Sequence, residues 1–226
     1  MSKRYRLVVF DWEGTLSDTL GQVLNCVATE ARRLNFGELD EAVARSSVEL
    51  GLVNAIKKVF PNLTITEYER LINAVQQSLM SRHSDVYLIP GAKEIVQNLY
   101  QAGIDLAIAT NKGQTSLQKA LHTTDLDKYF KVTRSAGQTA PKPSPEMLEE
   151  ILAVYSLSVQ DAVMIGDSLT DIEMANSIGM DAIGVNFYNQ QADLLLDAGA
   201  LKVFDDYHLI ADYLQLSDLP KKGDLL

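Results

Sequence analysis

"LVVFDWEGTLSDT", Leu7–Thr19, sets four apolar residues directly against an acid. The next eight positions then hold two more acids, a glycine and three hydroxyl side chains. An apolar, β-branched run of this length reads as a buried strand, and the carboxylate that ends it stands where the sheet opens. Runs of the same kind recur as "IDLAIAT" (104–110), "DAVMIGD" (161–167), "DAIGVN" (181–186) and "ALKVF" (200–204). Between the later ones apolar residues fall at three- and four-residue intervals, as in 92–103 and 145–156, which is the helical period. Strands alternating with helices predict an α/β fold: a Rossmann-like parallel sheet covered on both faces.

The alternation fails once. From Ser17 to Asp85 no strand pattern occurs, and three helix-like segments take its place, about 18–35, 38–59 and 66–83. Thr66 and Glu69 have capping-box spacing at the start of the third. Pro90-Gly91 then turns the chain back into the α/β pattern. The expected organisation is a core made of residues 1–17 and 86–226, with an inserted all-helical domain over 18–85.

The charge distribution narrows the partners. A formal net charge of −10 and the absence of any Lys/Arg run longer than two argue against nucleic acid and anionic membrane surfaces. The excess is uneven: residues 144–226 carry three basic and fifteen acidic side chains, whereas 86–143 carry seven basic and four acidic. A small anionic substrate can therefore still meet a locally positive pocket. No apolar run approaches the roughly 20 residues of a membrane helix, and the N-terminus lacks the apolar stretch of a secretory signal, so the chain reads as cytoplasmic. The single cysteine, Cys26, excludes an internal disulfide and reads as a small buried residue. His83, His122 and His208 lack metal-ligand spacing, and the sequence carries no signature of oligomeric state.

In a parallel α/β sheet, ligands bind beyond the carboxyl ends of the strands. Asp11, Thr110 and Asp167 each stand at such an end, so they can converge although they are far apart in sequence. Two carboxylates about 4 Å apart repel by roughly 4 kcal/mol at an effective dielectric of 20. A fold keeps them together only if one is protonated or a cation lies between them. An oxygen-only donor set favours Mg²⁺ as that cation. Lys142 lies just before a helix whose start is signalled by Ser144 as N-cap and Pro145 at the first position, which suits it to bring a fixed positive charge to the same crevice. A carboxylate, a hydroxyl, an ammonium and a divalent metal are what phosphoryl transfer requires, because that chemistry depends on charge neutralisation and in-line positioning. A carboxylate nucleophile gives an acyl phosphate that water then hydrolyses.

Four segments, "DWEGTLSDT", "ATN", "KPSP" and "GDSLTDIEMA", have the order and spacing of the four motifs of the haloacid dehalogenase-like superfamily. The chain resembles its phosphoglycolate phosphatase-like branch, with a helical cap inserted after the first motif. The resemblance implies Asp11 as nucleophile, with Thr110, Asn111 and Lys142 at the phosphoryl group of a small phosphorylated metabolite. It implies Mg²⁺ held by Asp11, the backbone carbonyl of Glu13 and Asp167, with Asp171 in support. Asp171 also stands three residues after Ser168, the spacing of a capping box. Ser168 and Lys112 are further candidates for ligand contact. The cap would select the leaving group, with Arg32, Arg33, Arg45, Lys57, Lys58, Arg70 and Arg82 as candidate cations.

One position departs from the pattern. Phosphatases of this superfamily usually place aspartate two residues after the nucleophile, where it protonates the leaving oxygen and then activates water. Here that residue is Glu13, one methylene longer. General acid–base catalysis is worth about 10²–10⁴ in rate and needs hydrogen-bond reach. The expectation is thus a slow phosphatase with Glu13 as a displaced or adapted acid/base. A weakened binding or regulatory relative and a sugar-phosphate mutase are the alternatives.

Overall fold

A computed structural model of the chain describes residues 5–45, 52–81, 86–187 and 192–216. The chain divides into two compact units, Met1–Ser17 with Leu88–Leu226, and Asp18–Tyr87.

The first unit is built on β1 (Leu7–Phe10), whose four side chains are all buried. Its remaining elements, numbered after four helices of the second unit, are α5 (Ala92–Gln101), β2 (Asp105–Thr110), α6 (Gln114–Thr123), β3 (Val132–Ser135), α7 (Glu146–Tyr155) and β4 (Ala162–Gly166). They continue as α8 (Leu169–Ser177), β5 (Asp181–Val185), α9 (Ala192–Asp197), β6 (Lys202–Phe204) and α10 (Tyr207–Tyr213). Among the described residues the six strands form one sheet in the order β3-β2-β1-β4-β5-β6, and every neighbouring pair is parallel. Such strands, covered on both faces, need continuous apolar runs. β4 supplies one, AVMIG, buried at all five positions. One face of the sheet packs Leu7, Val9, Ala107 and Met164 against Met147, Ile151, Ile172 and Met174 of α7 and α8.

The strand order reverses at β1, which pairs with β2 on one side and β4 on the other. At such a switch point the connections leave in opposite directions and open a crevice beyond the carboxyl ends. Asp11 follows β1 and Asp167 follows β4 by one residue, so both emerge at this opening.

The second unit holds α1 (Thr19–Arg33), α2 (Glu41–Arg45), α3 (Leu52–Val59) and α4 (Ile65–Ser81). Cys26, Val27, Ala31, Ile56, Phe60, Leu71 and Val75 form its core, and Cys26 is buried as expected. Asp18 caps α1 through Gly21 N–H at 2.6 Å. The described part of the expected 38–59 helix consists of α2 and α3, while residues 46–51 lie outside the described residues.

Two predicted helix starts move. The capping box of α4 is Thr64–Glu67, not Thr66–Glu69. The helix begins at Ile65, so Thr66 is already in its first turn, and Glu67 Oε2 accepts from both Thr64 N (2.8 Å) and Thr64 Oγ1 (2.7 Å). Ser144 does not cap α7, which begins at Glu146 after Pro145. Ser144 N–H instead closes a turn onto the Pro141 carbonyl at 3.0 Å, and Glu146 Oε2 accepts from Ala140 N–H at 2.8 Å.

Candidate active site

Each element that ends at the crevice delivers one polar side chain. Asp11 continues β1, and its own N–H bonds the Ile165 carbonyl of β4 at 2.9 Å, which fixes the backbone beneath the carboxylate. The next turn carries Gly14 at φ +79°, and a Cβ there would stand 2.1 Å from Asp167 Oδ2. Glycine at this position therefore supplies both the left-handed conformation and the room for Asp167. Thr15, the next residue, donates its hydroxyl to Asp167 Oδ1 at 3.1 Å.

Lys142 is the electrostatic centre. Its side chain is 3% exposed, and the ammonium donates to Asp11 Oδ1 at 2.5 Å and to Asp171 Oδ1 at 2.6 Å. Its backbone N–H donates to Asn111 Oδ1 at 2.9 Å, so Asn111 anchors the lysine loop. The other oxygen of Asp171 accepts from Ser168 N (3.1 Å) and Ser168 Oγ (2.7 Å). Asp171 thus closes the predicted capping box at the start of α8 and holds Lys142 as well. A Cβ on Gly166 would meet the Asp171 carboxyl carbon at 2.4 Å, which explains the glycine that ends β4.

Asp11, Asp167 and Asp171 each place a carboxylate oxygen within 4.8 Å of the others. Three carboxylates face one ammonium, and the titration behaviour reflects the imbalance. Burial pushes Asp11 up to about 6, with Asp171 adding to the rise, despite the opposing pull of Lys142. Burial likewise raises Asp167 to about 7, helped by Asp11 and Asp171. For Lys142 burial works against the charged form, yet Asp11 and Asp171 overcome it and raise the ammonium above its usual value. The cluster is short of positive charge when all its acids are ionised, and its donors are oxygens alone. That donor set fits a hard divalent cation.

Thr110, at the end of β2, is buried, and its hydroxyl accepts from Lys112 N–H at 3.2 Å. Glu13 stands apart from the three aspartates. Its carboxylate accepts from Lys112 Nζ at 2.8 Å, and the side chain is 49% exposed. The geometry therefore unites Asp11, Lys142, Asp167 and Asp171, sets Asn111 behind them, and turns the side chain of Glu13 toward the loop after β2. Of the candidate cations in the helical unit, Arg32 pairs with Glu38, Arg33 pairs with Glu30, and Arg70 lies over the Phe36 ring. The Arg45 side chain, Arg82 and His83 lie outside the described residues.

Two participants carry no plain signal in the sequence reading. Thr15 enters it only as one of the three hydroxyls that follow the first strand, although a hydroxyl next to a glycine at a strand end is a usable signal. Tyr207, one of nine tyrosines, has no motif around it. Its phenol is buried and donates to the Thr15 carbonyl at 2.6 Å. Burial, with Asp167 and Asp11 nearby, holds its pKa well above the ordinary tyrosine value.

A parallel sheet of this order, with acids and a buried lysine at its switch point, defines an α/β enzyme core of the kind that handles phosphate or related anions. Residues 8–185 match the family model of the haloacid dehalogenase-like hydrolases, and the chain belongs to that family. It is 31% identical over 208 residues to "Probable phosphatase IndB" of Dickeya dadantii, covering 89% of this chain and 90% of that protein. It is 27% identical over 225 residues to the phosphoglycolate phosphatase of Vibrio cholerae, covering 95% and 99%. Among solved structures, a hydrolase of the same family from Deinococcus radiodurans, with bound phosphate and sodium, superposes with a TM-score of 0.68 at 18% identity, covering 96% of this chain and 99% of that one. At that identity the superposition speaks for the fold. No helix among the described residues is long and apolar enough to cross a membrane.

Proposed function

We propose that this chain is a Mg²⁺-dependent phosphoric monoester hydrolase acting on a small phosphorylated metabolite through an aspartyl-phosphate intermediate. The observation that carries the reading is the buried contact of Lys142 with Asp11, beside Asp167 and Asp171, at the switch point of the sheet. Asp11, raised only to about 6, is ionised at neutral pH and attacks phosphorus. Lys142 offsets negative charge on the phosphoryl oxygens, and Thr110 supports them from the end of β2. Asp11, Asp167 and the carbonyl of residue 13 would hold Mg²⁺, which would supply charge neutralisation at the phosphoryl group. Asp171 keeps Lys142 in place. The helical unit acts as a cap that excludes water and selects the leaving group.

Glu13 is the acid/base, and its tie to Lys112 supports slow turnover, because a proton donor acts only within hydrogen-bond reach of the leaving oxygen. The test is a panel of metabolite phosphates assayed with and without Mg²⁺, with Asp11→Asn as blank. The expected result is inorganic phosphate released in the presence of Mg²⁺ and lost in Asp11→Asn. No release above the blank would favour a binding or regulatory role, and an isomeric ester in place of free phosphate would identify a mutase.

A further inference from the structure

Tyr207 lies beyond the 8–185 stretch that matches the family model, yet it reaches the turn that carries Gly14 and Thr15. Its side chain is 1% exposed, and a buried phenol needs an acceptor for its proton. Here the acceptor is the Thr15 carbonyl at 2.6 Å, and Thr15 in turn donates its hydroxyl to Asp167 Oδ1 at 3.1 Å. The turn cannot drift without consequence, because Asp167 fills the space that a side chain on Gly14 would need.

The tyrosine is itself held from several sides. Asp206 Oδ1 caps α10 by accepting from His208 N–H at 2.7 Å. The Phe187 ring lies 4.9 Å from the Tyr207 ring, and a Cβ on Gly91 would come within 3.1 Å of the Tyr207 Cβ. Such packing fixes the phenol oxygen, and outer partners of this kind tune a metal site by orienting the groups that hold the ion.

We infer that Tyr207 is a positioning residue: through the Thr15 carbonyl it fixes the turn whose hydroxyl orients Asp167, and so sets the affinity of the site for a divalent cation. The inference rests on the metal-dependent reading above and extends it to α10.

The experiment measures binding of Mn²⁺ alone by electron paramagnetic resonance, with no substrate, in the full chain and in Tyr207→Phe, Thr15→Val and Phe187→Leu. Tyr207→Phe removes one hydroxyl and keeps the ring, and should weaken Mn²⁺ binding about 10-fold, the lower end of outer-partner effects. Thr15→Val should weaken it at least as much, and the double variant should add little beyond the larger single effect, because both act on one chain of contacts. Phe187→Leu loosens the packing of Tyr207 without removing its hydroxyl, and should lower the melting temperature while weakening Mn²⁺ binding clearly less than Tyr207→Phe does. Unchanged affinity in Tyr207→Phe, an equal loss in Phe187→Leu, or collapse of the fold in Tyr207→Phe would each overturn the inference. Failure of the parent chain to bind Mn²⁺ would instead overturn the metal-dependent reading itself, and the inference with it.

Discussion

Lys142 and Lys112 each bring an ammonium to a carboxylate of the loop after β1, one in a dry interior and one half in water. Lys142, 3% exposed, contacts two buried aspartates. Lys112 and Glu13 are 25% and 49% exposed. In the interior, charges taken from water must be matched by partners, and removing one member leaves the others uncompensated. At the surface, water screens the pair and its net worth falls to about 0–1 kcal/mol. The first arrangement can hold a reacting group in one place. The second allows a side chain to be held or released at little cost, which is the environment given to the residue that departs from the family pattern.

The largest effect should come from the interior. Lys142→Met leaves Asp11 and Asp171 facing each other without their shared cation. It should lower kcat on a phosphate ester by at least about 10³-fold and destabilise the fold by about 3 kcal/mol. Steady-state kinetics and urea unfolding measure the two losses. A change below tenfold in kcat would erase the distinction between the two lysines.

Next in size is a pH dependence carried by the buried cluster. Asp11 has a folded pKa of about 6, above its ordinary 3.8. A raised carboxylate stabilises the fold below its unfolded pKa, and that contribution is lost as pH rises through the folded value. Without metal, the stability of the parent chain relative to Asp11→Asn should therefore fall between pH 4 and pH 7 by on the order of 3 kcal/mol, at about 1.4 kcal/mol per pKa unit. Urea unfolding in EDTA at several pH values reads the slope, and added Mg²⁺ should reduce it at pH 7. A flat difference would show that Asp11 titrates as an ordinary surface acid.

How much of this was legible beforehand follows the same division. Strands β1, β2, β4, β5 and β6 announce themselves by apolar runs, because both faces of a parallel sheet are buried. β3 escapes notice: Val132–Ser135 is only four residues long, its two middle positions, Thr133 and Arg134, are half-buried, and it lies at the edge of the sheet. Asp11, Asp167 and Lys142 are legible because strand ends and a helix start have local signatures. The partner of Glu13 is not, since 99 positions separate it from Lys112 and no periodicity links them. Tyr207 is further still from its acceptor, at 192 positions. Helix caps misplace by one or two residues because neighbouring hydroxyls compete, as Thr64 and Thr66 do at α4.

A smaller effect should follow from shortening the exposed acid. Glu13→Asp withdraws the carboxylate by about 1.5 Å, which breaks the 2.8 Å contact with Lys112 and restores the acid that the family usually carries. Turnover of an alkyl phosphate should rise about 10-fold, part of the range available to a well-placed general acid. An unchanged kcat would mean that Glu13 already acts from where Lys112 holds it.

The smallest effect is also the most discriminating. Lys112→Met removes an exposed pair and should change stability by less than about 1 kcal/mol, with the difference shrinking further at high salt. Its kinetic effect should depend on residue 13. In the parent chain, loss of the ammonium releases the Glu13 carboxylate, so kcat changes. In the Glu13→Asp background the shorter acid no longer reaches Lys112, and the same substitution should be nearly silent. Coupling of this sign in a double-mutant cycle ties the lysine to the acid. If Lys112→Met instead raised KM equally in both backgrounds, the ammonium would be contacting substrate, and the loop after β2 would contribute binding energy in place of a tether.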